Sequence, residues 1–157
     1  MQYELTRQVL QAFEREGVSY VVFGGVAVNL LGLARATQDL DVFIEPTVEN
    51  VARLKAALRA VFNDPEVDSI EAEDLLGDYP AVQYVPPVEG FHVDILTRLG
   101  EAFAFSDLDS MRAPLGDAEV NVVTPWTLYR MKRDTVRPKD RADAAALKMR
   151  FGLKDET

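Results

Sequence analysis

Apolar positions along the chain follow two periods, and their alternation lays out a sequence of helices and strands. Leu5, Val9, Leu10 and Phe13 recur at three- and four-residue spacing within 4–16, and the run stops at Gly17, which predicts an amphipathic helix. Ser19 to Phe23 is a β-branched and aromatic run ending in Gly24-Gly25, the pattern of a buried strand that turns sharply. Val26 to Leu31 then reads as a helix stopped by Gly32, and Asp39 to Ile44 as the next strand. Thr47 is placed to cap a helix through Phe62, with Val51, Leu54, Leu58 and Val61 as its apolar stripe. Asp68 with Glu71 has the spacing of a capping box, predicting a short helix to Leu76 that stops at Gly77. Ala81 to Val85 and Phe91 to Leu96 flank a Pro-Pro-Val-Glu-Gly turn and predict an antiparallel pair. Runs at 105–111 and 119–123 predict edge strands. Thr124-Pro125 caps a helix over 126–134, and Arg137-Pro-Lys-Asp140 opens another, 141–151, closing at Gly152. The expected fold is α/β (α+β): a mixed sheet flanked by helices, followed by a C-terminal helical hairpin.

At 157 residues and 48% hydrophobic, the chain can bury one sizeable core. The expectation is a single domain over 1–157, with a mixed core at 1–123 and a helical segment at 124–153. No apolar run is long enough to span a bilayer, and Met-Gln-Tyr-Glu-Leu-Thr-Arg lacks the basic-then-apolar pattern of a leader. The absence of cysteine excludes disulfides and fits a cytoplasmic protein. Lys154 to Thr157 read as a frayed end.

Charge is segregated. The chain carries −9 overall, yet 126–150 holds eight basic and three acidic residues, +5 locally, which leaves −14 for the remainder. Bulk nucleic acid is repelled by such a chain, and only that basic segment can recruit it.

The chemistry concentrates in 20–45. A helix opening just after a glycine turn points unpaired N–H groups at an anion, and phosphate is the usual guest. Asp39 and Asp41 lie two apart on a strand, so both carboxylates share one face while Leu40, Val42 and Ile44 take the other. Such a pair suits a hard divalent cation that keeps room for substrate phosphates. Taken singly, a glycine pair is mostly a turn and an acidic pair mostly a solvated strand end. Their order along the chain is more specific. Asp94 adds a third acid, on a strand whose other face carries Phe91, Val93 and Ile95. An uncompensated carboxylate there is expensive, so either a metal, a transferred proton, or hydrogen bonds to amides or an arginine must satisfy it. His92, the only histidine, shares the face of Asp94 but makes no conventional zinc site in a chain without cysteine, and reads as structural or peripheral.

Gly24-Gly25, the short helix, Arg35-x-Thr37-x-Asp39-x-Asp41 and the later Asp94 resemble the nucleotidyltransferase-fold superfamily, in particular small bacterial members such as AbiEii-type toxin nucleotidyltransferases. The resemblance implies a glycine-rich turn, an Asp-x-Asp pair and a third carboxylate working with magnesium or manganese on a nucleoside triphosphate. Many members carry serine where this chain has Gly25, which removes a hydroxyl donor but leaves the backbone donors. Leu128-Tyr-Arg-Met-Lys132 followed by Arg137-Pro-Lys139-Asp140 resembles the family's C-terminal Lys and Lys-Asp motif. On that likeness Asp39, Asp41 and Asp94 are the catalytic and metal residues, and Gly24, Gly25, Arg35, Thr37, Lys132, Arg137, Lys139 and Asp140 hold the nucleotide. By residue type, Lys132 and Arg137 neutralise phosphate, and Asp140 orients a lysine or the metal shell. Arg35 is equally suited to pairing with a surface carboxylate, Thr37 to capping a turn, and Trp126 and Tyr129 to the core rather than to a base.

The implied reaction moves NMP from an NTP to a hydroxyl on RNA, such as a transfer RNA end, or on protein, with a cognate antitoxin as a further partner and no membrane. Transfer to a small hydroxylated molecule such as an antibiotic is the alternative, against which the short length weighs. A silent nucleotide- or partner-binding protein of the same fold is the third, against which the intact acids weigh.

Overall fold

The computed structural model describes residues 3–77 and 80–155. Six strands, β1 (Tyr20–Phe23), β2 (Asp39–Ile44), β3 (Ala81–Tyr84), β4 (His92–Leu96), β7 (Ser110–Leu115) and β8 (Ala118–Val123), form one mixed sheet in the order β3-β4-β2-β1-β8-β7. A separate two-stranded ribbon joins β5 (Arg98–Leu99) to β6 (Phe103–Ala104). The helices are α1 (Tyr3–Glu16), α2 (Gly24–Leu30), α3 (Val48–Phe62), α4 (Ala72–Leu76), α5 (Pro125–Arg133) and α6 (Pro138–Phe151). This mixed α/β architecture ends in the packed pair α5 and α6, as the sequence predicts.

The alternating positions do what their period requires. Leu40, Val42 and Ile44 are fully buried, as are Val93 and Ile95 of β4. Phe13 of α1 packs edge-on against Tyr20 of β1 with ring centroids 5.3 Å apart, joining the first helix to the sheet. Burying rings and branched aliphatics of this size contributes roughly 1.5–3 kcal/mol each and dominates the fold's stability. Thr47 caps α3 by accepting from the Asn50 N–H at 3.1 Å, as its position predicts.

Four local expectations are corrected. Asp68 caps no helix: its carboxylate pairs with Arg59 of α3, Asp64 instead caps a 3-10 turn over Pro65–Ser69, and Glu71 flanks α4 without a side-chain bond. The segment 105–111 is not a strand; Phe105–Asp107 forms a 3-10 turn and the strand starts at Ser110, where the β7–β8 hairpin around Gly116 sets its register. Of the two expected edge strands only β7 is one, because β8 pairs in parallel with β1 and lies inside the sheet. Asp155 is tied down by Tyr129, Arg133 and Lys148 at 2.6, 3.1 and 3.0 Å, so fraying does not reach it; residues 156–157 lie outside the described residues.

Candidate active site

One rung across the sheet builds the site. Strands β2 and β4 run parallel with Asp41 opposite Asp94 and Asp39 opposite His92. On the outer sides, Phe23 of β1 stands opposite Asp41 and Gln83 of β3 opposite Asp94. Side chains that alternate strictly along each strand are thereby stacked on one face, and acids distant in sequence become neighbours.

Gly24 closes that rung. Its φ of +72° is a conformation side chains rarely adopt, and a Cβ there would collide with the Asp41 carboxylate. The turn therefore needs glycine for two separate reasons. α2 begins at Gly24, two residues earlier than expected, so the turn is already the helix's first step. At Gly25 a Cβ would come 2.9 Å from both Cβ and Oγ1 of Thr37, so Thr37 fills the space a serine at 25 would require.

Asp41 and Asp94 are linked directly, and Asp39 acts on Asp41 through its charge. Burial, together with the hydrogen bond and charge of Asp94 and the charge of Asp39, pushes the Asp41 carboxyl up to about 7, against the opposing pull of Lys132. Gln83 Nε2 donates to Asp94 at 3.2 Å. His92 is not peripheral: its Nδ1 lies 3.0 Å from Asp39 and its Nε2 3.2 Å from Asp94, bridging two of the acids. Among the described residues no three His, Cys, Asp or Glu side chains stand as a metal-holding set, and Asp39 and Asp94 each face a ring nitrogen of His92.

Facing the acids is a second group from the C-terminal helices. Lys132 of α5 is buried and donates to Asp140 at 3.1 Å and to Asp143 at 2.9 Å, both on α6. Asp140 also accepts from Thr135 at 2.9 Å, and its carboxyl is held below the usual range by those partners despite burial. Arg35, from the loop before β2, donates through Nε to both oxygens of Asp143 at 3.1 Å, a buried partner rather than a surface one. Thr37 Oγ1 donates to the Asp39 carbonyl at 3.3 Å. Tyr129 is core and Trp126 packs on it at 5.6 Å.

Between the two groups opens a cleft of about 810 Å³, a volume suited to a nucleotide-sized ligand. Its lining brings together Gly24, Arg35, Thr37, Asp39, Asp41, Asp94, Lys132, Arg137, Lys139 and Asp140; Gly25 lies just behind, against Thr37. Four of these residues are cationic and four anionic, so the cleft carries no formal surplus charge.

Three residues in this constellation escape a reading of motifs. Gln83 is visible only through the hairpin register, His92 only through the pairing of β2 with β4, and Asp143 only as the residue one helical turn beyond Asp140.

No protein-family model matches this sequence, and no curated protein matches it. Solved structures do match its fold. ANT(2")-Ia in complex with adenylyl-2"-tobramycin superposes with a TM-score of 0.60 at 14% identity, covering 96% of this chain and 90% of that one. The lincosamide antibiotic adenylyltransferase LnuA, lincomycin-bound, gives 0.58 at 14%, covering 92% and 95%. An antigenic nucleotidyltransferase-like protein from Paracoccidioides brasiliensis gives 0.59 at 16%, covering 93% and 75%.

Proposed function

We propose that this chain is a nucleotidyltransferase that moves a nucleoside monophosphate from an NTP onto an acceptor hydroxyl. The observation that carries this reading is the gathering of Asp39, Asp41 and Asp94 on adjacent strands beside a cleft lined by Arg35 and Lys132. In the reaction the α-phosphorus gains a bond to the acceptor oxygen and loses its bond to the bridging oxygen of pyrophosphate. The acceptor's proton passes to a carboxylate, and Asp94 is the one assigned to it.

The donor set fits a divalent cation of the magnesium type. All three donors are oxygens, and burial, together with the nearby Asp94 and Asp39, pushes the Asp41 carboxyl up to about 7, so a neutralising partner is favoured there; a hard divalent cation is one that oxygen donors suit. Asp39, Asp41 and Asp94 would hold it, and when bound it supplies positive charge against the phosphates and the leaving pyrophosphate. With every acid ionised the charges lining the cleft sum to zero, so a cation on the acids adds to the net attraction for a triphosphate.

The remaining roles follow from position. Backbone N–H groups at Gly24-Gly25, the Thr37 hydroxyl and the cations Arg35, Lys132, Arg137 and Lys139 contact the triphosphate, with Asp140 holding Lys132 in place.

Two acceptor classes have separate support. Exposed Arg137 and Lys139 at the cleft, with Arg130 of α5 and Arg141 of α6 exposed as well, favour RNA; an AbiEii-like toxin role with a cognate antitoxin belongs to that reading, and a protein hydroxyl is the companion acceptor. The similar structures favour a small hydroxylated molecule: two are antibiotic-linked adenylylating proteins, and this chain spans 90% and 95% of them, so short length no longer weighs against that acceptor. The test incubates the protein with magnesium and each α-labelled NTP, offering total RNA, cell lysate and aminoglycosides separately. Label on RNA or protein supports the first class, label on drug the second, and no label anywhere overturns nucleotidyl transfer.

A further inference from the structure

We infer that Asp143 is a positioning residue for nucleotide binding: from behind the cleft it fixes Arg35 and Lys132 in the places from which they meet the triphosphate. The inference rests on the nucleotidyltransferase reading and adds to it a residue that no motif supplied.

Three observations carry it. First, Asp143 does not line the cleft, whereas both of its partners do. Asp143 is 6% exposed, so it meets the ligand only through them. Second, its partners come from two different segments, Arg35 from the loop leading into Asp39 and Lys132 from α5, and both bind the one carboxylate at 2.9–3.1 Å. A single α6 side chain thereby sets the spacing between the loop and the helix. Third, α6 buries only Asp143, Ala144 and Leu147, so one of its three inward positions carries a charge. As glue this is a poor choice, because a buried ion pair rarely outperforms an apolar contact of the same volume. As a device for aiming cations it is effective, because a fork of charge-assisted hydrogen bonds restricts long, flexible side chains.

The charge balance agrees. Arg35 and Lys132 oppose Asp140 and Asp143, two against two, so neither cation is left to swing onto the Asp39, Asp41 and Asp94 group and block it. Two of the three Lys132 ammonium hydrogens are taken by Asp140 and Asp143, which leaves the third for the cleft.

The experiment measures binding of the four α,β-methylene ribonucleoside triphosphates with magnesium by calorimetry, using the one that wild type binds most tightly. Asp143→Asn keeps the shape and removes the charge. Measured where both proteins remain folded, it should weaken binding by about tenfold or more, and it should also lower the melting temperature of the unliganded protein, because Lys132 and Arg35 lose a buried counter-charge. Asp143→Glu, which restores the charge one methylene away, should recover part of the loss. The Arg35→Gln and Asp143→Asn double variant should lose less than the product of the two single losses, because both act through the same contact. Wild-type affinity in Asp143→Asn, or losses that multiply independently, would overturn the inference, as would failure of both Asp143 variants to fold, which assigns the carboxylate to the scaffold. If wild type itself binds none of the four analogues, the nucleotidyltransferase reading falls instead.

Discussion

Asp41 and Asp94 stand directly opposite each other on two parallel strands, close enough that the hydrogen bond between them helps to hold a proton near neutral pH. Two carboxylates in that relationship repel unless a proton or a cation intervenes, and the choice between the two sets how the protein responds to pH and to metal.

Asp41→Asn should reduce transfer by about a hundredfold or more, since charge at the reacting phosphate can no longer be organised. It should also stabilise the metal-free protein at neutral pH. The folded pKa of about 7 lies above the ordinary 3.8, so the stability that Asp41 contributes is fully present below about 3.8 and is lost as pH rises through 7. Relative to wild type, the variant should therefore gain on the order of 4 kcal/mol between pH 4 and pH 8 in urea unfolding. Parallel stability curves for the two proteins would disprove the shared proton.

Metal binding should release that proton. Calorimetric titration with magnesium at pH 6.5, repeated in buffers of different ionisation enthalpy, should show close to one proton displaced per site in wild type and a much smaller number in Asp41→Asn. Affinity should rise with pH up to about 7 and level off above it, following the Asp41 carboxyl. An affinity independent of pH would mean that the cation binds elsewhere.

On the proposed reading His92 would compete with the cation for the same lone pairs, because its two ring nitrogens face Asp39 and Asp94. Freeing those oxygens by His92→Ala should tighten magnesium binding by about three- to tenfold, the net worth of one or two hydrogen bonds. Weaker binding in the variant would instead make His92 a partner of the metal.

How much of this was readable in advance depends on the range of the interaction. Alternation along β2 and β4 already placed Asp39, Asp41 and Asp94 opposite buried Leu40, Val42, Val93 and Ile95, because burial side is a two-residue property of a strand. The cap at Thr47 and the glycine turn at Gly24 were equally local. What failed was non-local or competitive. Asp68 satisfies the spacing of a capping box, but Arg59 on the preceding helix takes its carboxylate. The strand at Ser110–Leu115 follows from pairing with Ala118–Val123, so no propensity of 105–111 could place it. His92 and Asp143 gained their roles only when β4 docked on β2 and α6 docked near Arg35.

Gly25 and Thr37 compete for one space, and that competition can be tested by exchange. With its Cβ 2.9 Å from the Thr37 side chain, Gly25→Ser should destabilise the fold by roughly 1–3 kcal/mol, as overpacking does. Thr37→Ala removes the Oγ1 and Cγ2 atoms and should weaken nucleotide binding by about tenfold if the hydroxyl turns from the Asp39 carbonyl to donate to phosphate. Joining the two changes should bring back most of the stability lost in Gly25→Ser, because the serine then occupies room that Thr37 has vacated. It should also return part of the nucleotide affinity, because a hydroxyl again stands beside the Gly24 turn. Chemical denaturation and calorimetry on the four proteins decide the matter. If Gly25→Ser costs nothing alone, the two side chains do not contend for the same volume. If the double variant regains stability without affinity, Thr37 is a spacer and the backbone of the turn carries the phosphate by itself.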